Sequence, residues 1–105
     1  MISLSIIIVS FNTKEITKKC LLALKKNFNR YPLNYEIIVV DNNSDDDSQK
    51  MLVDLEKQWL NLHVIISKKN LGFGKANNLG FANSKGEYIL YLIPTPSFMI
   101  LIFKI

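Results

Sequence analysis

Three clusters of polar residues in this chain each begin where an apolar run stops. Ser10-Phe11-Asn12 follows Leu4 to Val9, and Asp41-Asn42-Asn43-Ser44 follows Tyr35 to Val40. Asn70-Leu71-Gly72, continuing to Asn77, comes shortly after Leu62 to Ile66. Together they offer a carboxylate acceptor, hydroxyls, and amides that both donate and accept. Gly72 and Gly74 would let the backbone approach a ligand closely, and a helix starting there would turn free N–H groups toward an anion. Groups of this kind suit a nucleotide: Asp41 accepting from a base N–H, and the loops holding ribose and diphosphate. Gly72-x-Gly74 is not a dinucleotide fingerprint, because Gly80 lies six residues on rather than three. No Walker-type loop precedes Lys75 either.

Buried strands must carry these clusters. Leu4–Val9 and Tyr35–Val40 hold runs of consecutive Ile and Val, the pattern of parallel strands covered on both faces. Shorter strands are expected at Leu62–Ile66 and Tyr88–Leu92. Between the first two, Ile16, Cys20, Leu24 and Phe28 recur every four residues, joined by Leu21, from an N-cap at Thr13 to a stop at Pro32. Met51, Leu52, Leu55 and Trp59 give the second helix its buried stripe. A third helix should bury Phe73, Ala76, Gly80 and Phe81, with Asn77 on the same face and in need of a partner.

Composition sets the bounds. The 105 residues are 49% hydrophobic, enough for one cored domain and too many for disorder. A net charge of +4 suits phosphate-bearing ligands or an anionic membrane surface. The lysines are scattered without interleaved aromatics, which argues against nucleic acid. The single cysteine, Cys20, excludes an internal disulfide and fits a reducing compartment. The first residues read as a strand rather than a signal peptide, and the apolar stretch 98–103 is too short to cross a bilayer. The expected location is the cytoplasm, with a peripheral place on the inner face of the membrane open to it.

A metal centre is not expected. Asp45, Asp46 and Asp47 complement the dipole of the helix they precede, because consecutive side chains there point different ways. His63, the sole histidine, falls early in a strand, and one His with one Cys gives no ligand spacing.

Four strand–helix alternations predict an α/β fold: a Rossmann-like parallel sheet of four strands with flanking helices. In the order third, second, first, fourth, the crevice at the reversal gathers residues 10–12, 41–44 and 93–95, flanked by 70–77. Residues 93–105 break the pattern. Pro94 and Pro96 lack an N–H, and the apolar residues after them have no usable period, although they could add an edge strand.

Ser5–Thr13, Glu36–Ser48 and Asn70–Gly80, in that order, resemble the N-terminal half of the family 2 glycosyltransferases, with a rhamnosyltransferase-like flavour. The resemblance covers about residues 3–92 and implies the nucleotide-binding half of a GT-A fold. It also implies a nucleotide-diphosphate sugar donor, linked to UDP, dTDP or GDP, for surface-glycan synthesis. By position it carries Ser10, Phe11 and Asn12 to the base and ribose pocket, has Asp41 hydrogen-bond the base, and has Asn43 and Ser44 shape the pocket. Asn70, Gly72 and Asn77 border the diphosphate sugar. The family would use Mg or Mn, held by an acid after the fourth strand; this chain has Ile93-Pro94-Thr95 there and no acid after Glu87. With no residue to act as catalytic base and no metal-binding acid, the expectation is a truncated, inactive donor-binding region over 1–92 with an aberrant apolar tail over 93–105. Self-association through that tail or a sheet edge is a further expectation. The alternatives are a non-catalytic remnant or interaction module that binds no nucleotide, and a receiver-like signalling domain, which would need its acids at other strand ends.

Overall fold

The computed structural model describes residues 1–30, 33–95 and 99–104, the last six by backbone alone. Its elements are β1 (Leu4–Ser10), α1 (Lys14–Phe28), β2 (Tyr35–Asp41), α2 (Ser48–Gln58), β3 (Leu62–Ile66), α3 (Phe73–Ala82), β4 (Tyr88–Ile93) and β5 (Met99–Lys104). They form one sheet in the order β3-β2-β1-β4-β5. The first four strands are parallel in the expected order. The sheet nevertheless has five strands rather than four, because the tail returns antiparallel along β4, with Ile93 opposite Met99 and Tyr88 opposite Lys104. The helix stop expected at Pro32 lies outside the described residues.

Side-chain alternation along the strands divides the core. Ile6, Ile8, Ile37, Val39, Leu90 and Leu92 face α1 and α2, where they meet Cys20, Leu21, Met51 and Leu52. Ile38 and Val40 face the other way, onto Ala76 of α3. Ile6, Ile7, Ile8, Ile37 and Ile38 are almost wholly buried, each worth about 1.5–3 kcal/mol relative to exposure. Tyr35, at the amino end of β2, lies between Phe28 and Trp59, tilted to the first ring and edge-on to the second, and accepts a hydrogen bond from the Trp59 indole.

On α3 the expected stripe is only half right. Ala76 and Gly80 are buried, but Phe73 and Phe81 are 54% and 41% exposed. Gly80 explains the difference: an added Cβ would lie 2.6 Å from Ile7 Cγ2, so the helix axis sits close to the sheet. Large neighbouring rings cannot fit beneath a helix at that spacing. Cys20 has the packing role expected of it, and burial pushes its thiol up to about 11, which keeps it protonated and inert.

Candidate functional site

The same alternation decides which polar residues reach the crevice. Ser10 and Asp41 lie opposite one another in register and share the parity of Ile8 and Val39, so both point toward α1 and α2. Ser10 is fully buried and shares a hydrogen bond with Thr17 of α1. Asp41 is fully buried too. Its carboxylate accepts from Ser44 N (2.9 Å), Ser44 Oγ (2.7 Å) and Gln49 Nε2 (3.2 Å), leaving little acceptor capacity for a ligand. Asp41 therefore stands behind the crevice wall and holds the turn that forms it.

Ser44 passes the constraint on. Its hydroxyl donates to Asp41 and accepts from the Asn12 N–H at 2.9 Å, while Asn12 Oδ1 accepts from Asp45 N at 2.8 Å. The β1 and β2 loops are thereby locked together. Asn12, Asn43 and Asp47 all have left-handed backbones, with φ of 51°, 69° and 69°. Asn and Asp are the non-glycine residues that tolerate this region best. Asn12 and Asn43 thus have conformational reasons for their identity, and Asn43 is exposed beside the turn.

Asn42 has the opposite parity and faces the α3 side. Its Oδ1 accepts from Leu71 N at 2.7 Å and its Nδ2 donates to the Gly72 carbonyl at 3.3 Å. Asn70 in turn accepts from Gly72 N at 2.8 Å. These bonds fix the loop that opens α3, whose N-cap, Gly72, has φ of 82° and supplies no side chain. In front of this wall lies a hollow of about 370 Å³, lined by Val9, Phe11, Thr13, Asn42, Asn70, Gly72, Phe73, Ile93 and Pro94. A second, of about 250 Å³, shares Phe73 and Ile93 with it and adds Gly74, Asn77, Asn78 and Tyr91.

Of the residues expected at the site, Phe11, Asn70 and Gly72 line the first hollow and Asn77 the second. Ser10, Asn12, Asp41 and Ser44 support the wall. Thr13 was expected only as a helix cap and Phe73 only in the core. Asn42 was expected in the crevice with its loop but given no role of its own; for it the period-two count from Val40 was the available signal. A larger hollow, about 410 Å³, lies between α1 and α2 around Lys14, Lys18 and Lys50 and shares no lining residue with the other two.

The acidic run does structural work. Asp46 accepts from the first N–H of both neighbouring helices, Lys14 N at 3.1 Å and Ser48 N at 3.1 Å, and from Ser48 Oγ. Burial alone would raise its pKa, but the Ser48 hydroxyl and the Lys14 and Ser48 N–H groups outweigh that and hold it below the usual value. A carboxyl lowered by folding stabilises fully above its unfolded pKa, about 3.9, and loses that contribution as pH falls through the folded value. Asp46→Asn should therefore lower stability at pH 7, and the gap from the parent chain should close as pH falls through the folded pKa of Asp46, as urea titrations at neutral and acid pH would show. An equal gap at both would mean that the charge is irrelevant.

Residues 5–92 match glycosyl transferase family 2. The chain belongs to that family. Relatives include glycosyltransferase AglE of Haloferax volcanii, 33% identical over 84% of this chain and 29% of its own length. Another is the poly(ribitol-phosphate) beta-glucosyltransferase of Bacillus spizizenii, 36% identical over 85% of this chain and 14% of its own. Among solved structures, S. aureus TarS 1–349 in complex with UDP-GlcNAc superposes with a TM-score of 0.70 at 26% identity, covering 89% of this chain and 26% of that one. A mannosyltransferase from Pyrobaculum calidifontis, in complex with GDP-Man and Mn²⁺, shares the fold at 0.73 and 17% identity, covering 87% and 27%. This family chain thus spans between 14% and 29% of the length of these proteins, and its parallel strands and flanking helices form part of a GT-A fold.

The metal of such enzymes does not fit the residues present. At the end of β4 the donor set is Ile93, Pro94 and Thr95, with a single neutral hydroxyl, whereas a hard divalent cation wants carboxylate oxygens. Among the described residues no group of three or more His, Cys, Asp or Glu side chains could hold a metal ion. No helix among them is long and apolar enough to cross a membrane.

Proposed function

We propose that residues 1–92 are the donor-binding region of a glycosyltransferase and take a nucleoside diphosphate, or its sugar conjugate, into the hollow beyond β1, β2 and β4. The observation that carries this reading is the hollow itself, which lies at the carboxyl ends of parallel strands and is lined by the family-matched segment together with Ile93 and Pro94 just beyond it. Ligands of open α/β sheets settle at that place. The half-exposed Phe11 ring offers the base an apolar face, and the Asn42 and Asn70 amides border the ribose. The uncapped first turn of α3 presents N–H groups to the diphosphate. Asp41, Ser44 and Asn12 act through the wall they hold.

Among the described residues the hollow has no carboxylate lining, so none of them can take the proton of an acceptor hydroxyl there. The chain binds donor without transferring sugar. Residues 93–105, beyond the family match, are an appended tail rather than the family's continuation. Titration with UDP, dTDP and GDP, each with and without Mn²⁺, should show weak saturable binding to at least one, unchanged by metal. Strong tightening by Mn²⁺, or sugar transfer by this chain alone, would overturn the reading. Absence of binding to all three at millimolar concentration would leave the remnant reading, which the neutral Thr95 favours.

A further inference from the structure

The two edges of the sheet are not equally defended. On β3, the Val64 N–H is already taken by the Glu56 carboxylate at 2.7 Å, the strand is five residues long, and Lys68 and Lys69 follow it. An edge treated in this way resists pairing with another chain. On β5 the sequence is Met-Ile-Leu-Ile-Phe-Lys, with no proline or glycine and its one charge at the very end. In an antiparallel pair every second residue turns its N–H and C=O toward the partner and those between turn away. β5 is the outermost strand, so among the described residues no strand receives the outward set. A short apolar, proline-free segment of low charge is the sequence type that pairs most readily with a copy of itself. It also lies outside the family-matched residues 5–92, so the family's own fold does not account for what covers it.

We infer that β5 is a docking edge for a second copy of this chain, joined antiparallel about a two-fold axis. Antiparallel pairing of one strand with its own copy is self-complementary, so one symmetric contact satisfies both edges and closes the assembly. It also sets the two Lys104 residues at opposite ends of the contact, where like charges do not face each other. The product is a dimer with one ten-stranded sheet, about the upper size for an open twisted sheet. Its outer edges are the two guarded β3 strands, so growth stops there. The +4 charge on each chain opposes association, and screening by salt should strengthen it.

Sedimentation equilibrium of the full chain from about 1 to 200 µM should show conversion to a species of twice 12.1 kDa, with a smaller dissociation constant at 0.5 M than at 0.1 M salt. Leu101→Lys combined with Ile102→Lys, at the centre of the contact, should leave a monomer across that range. Hydrogen exchange on the unsubstituted chain reads the same contact without any variant. At high concentration all the β5 amides should be protected, and on dilution every second one should exchange freely. A chain that stays monomeric, a dimer that survives the double substitution, open-ended polymers, or alternate β5 amides unprotected at every concentration would each overturn the inference.

Discussion

Asp41→Ala should cost the domain about 3 kcal/mol and loosen the turn that ends β2, the sum expected for buried hydrogen bonds to a charged acceptor. The substitution leaves Ser44 N and Ser44 Oγ without their acceptor and Gln49 Nε2 with only the Ser44 carbonyl. Ser44 would then no longer be oriented to receive the Asn12 N–H, so the damage extends into the β1 loop. A domain of this size has about 5–15 kcal/mol in hand, so the variant should fold but melt early. Asp41→Asn keeps one carbonyl acceptor and should lose roughly half as much. Urea unfolding measures both. If Asp41→Ala keeps its stability and loses only nucleotide affinity, the carboxylate is aimed at the ligand and the bracing role is wrong.

Gly86→Ala should be comparably severe, for a different reason. A Cβ at that position would lie 2.5 Å from Ser5 Oγ, 2.6 Å from Ser5 N and 2.9 Å from the Leu4 carbonyl carbon. Two of those atoms are backbone of β1, hydrogen-bonded on both sides within the sheet, and cannot move aside cheaply. Overpacking of this kind costs about 1–3 kcal/mol. The collision also pulls at a buried network in which Gly86 N donates to Ser5 Oγ (2.8 Å), while Ser5 Oγ and Lys85 N donate to Glu36 Oε2 (2.6 and 2.7 Å). A buried carboxylate stripped of donors adds to the loss. Gly74→Ala is the control: nothing lies within 4 Å of its added Cβ, and its stability should be unchanged or slightly raised by helix propensity. Equal effects at the two glycines would show that the close contact at Gly86 is not real.

The strands and their order could be read from the sequence because five isoleucines and three valines in β1 and β2 leave no other economical burial. The crevice followed from the same argument, since strand ends in a parallel sheet share one side. What could not be read was orientation at the strand ends, where one residue of offset exchanges wall for lining. Ser10 and Asp41 attracted attention for their chemistry, yet their parity with Ile8 and Val39 turns them to the helices. Asn42, one step on, faces the loop before α3. Phe73 and Phe81 were misplaced because a hydrophobic stripe does not reveal how closely a helix approaches its sheet, and Gly80 sets that distance. β5 was obscure for a third reason: an unbroken apolar run carries no period by which to tell a strand from a helix or a loop.

The central claim is most directly tested by following backbone amide resonances while UDP, dTDP and GDP are added in turn. One of them should shift Phe11, Asn42, Asn70, Gly72 and Phe73 together, along a single saturation curve, with α1 and the amino ends of the strands unmoved. Shifts centred on Lys14, Lys18 and Lys50 between α1 and α2, or no shifts at millimolar nucleotide, would contradict it.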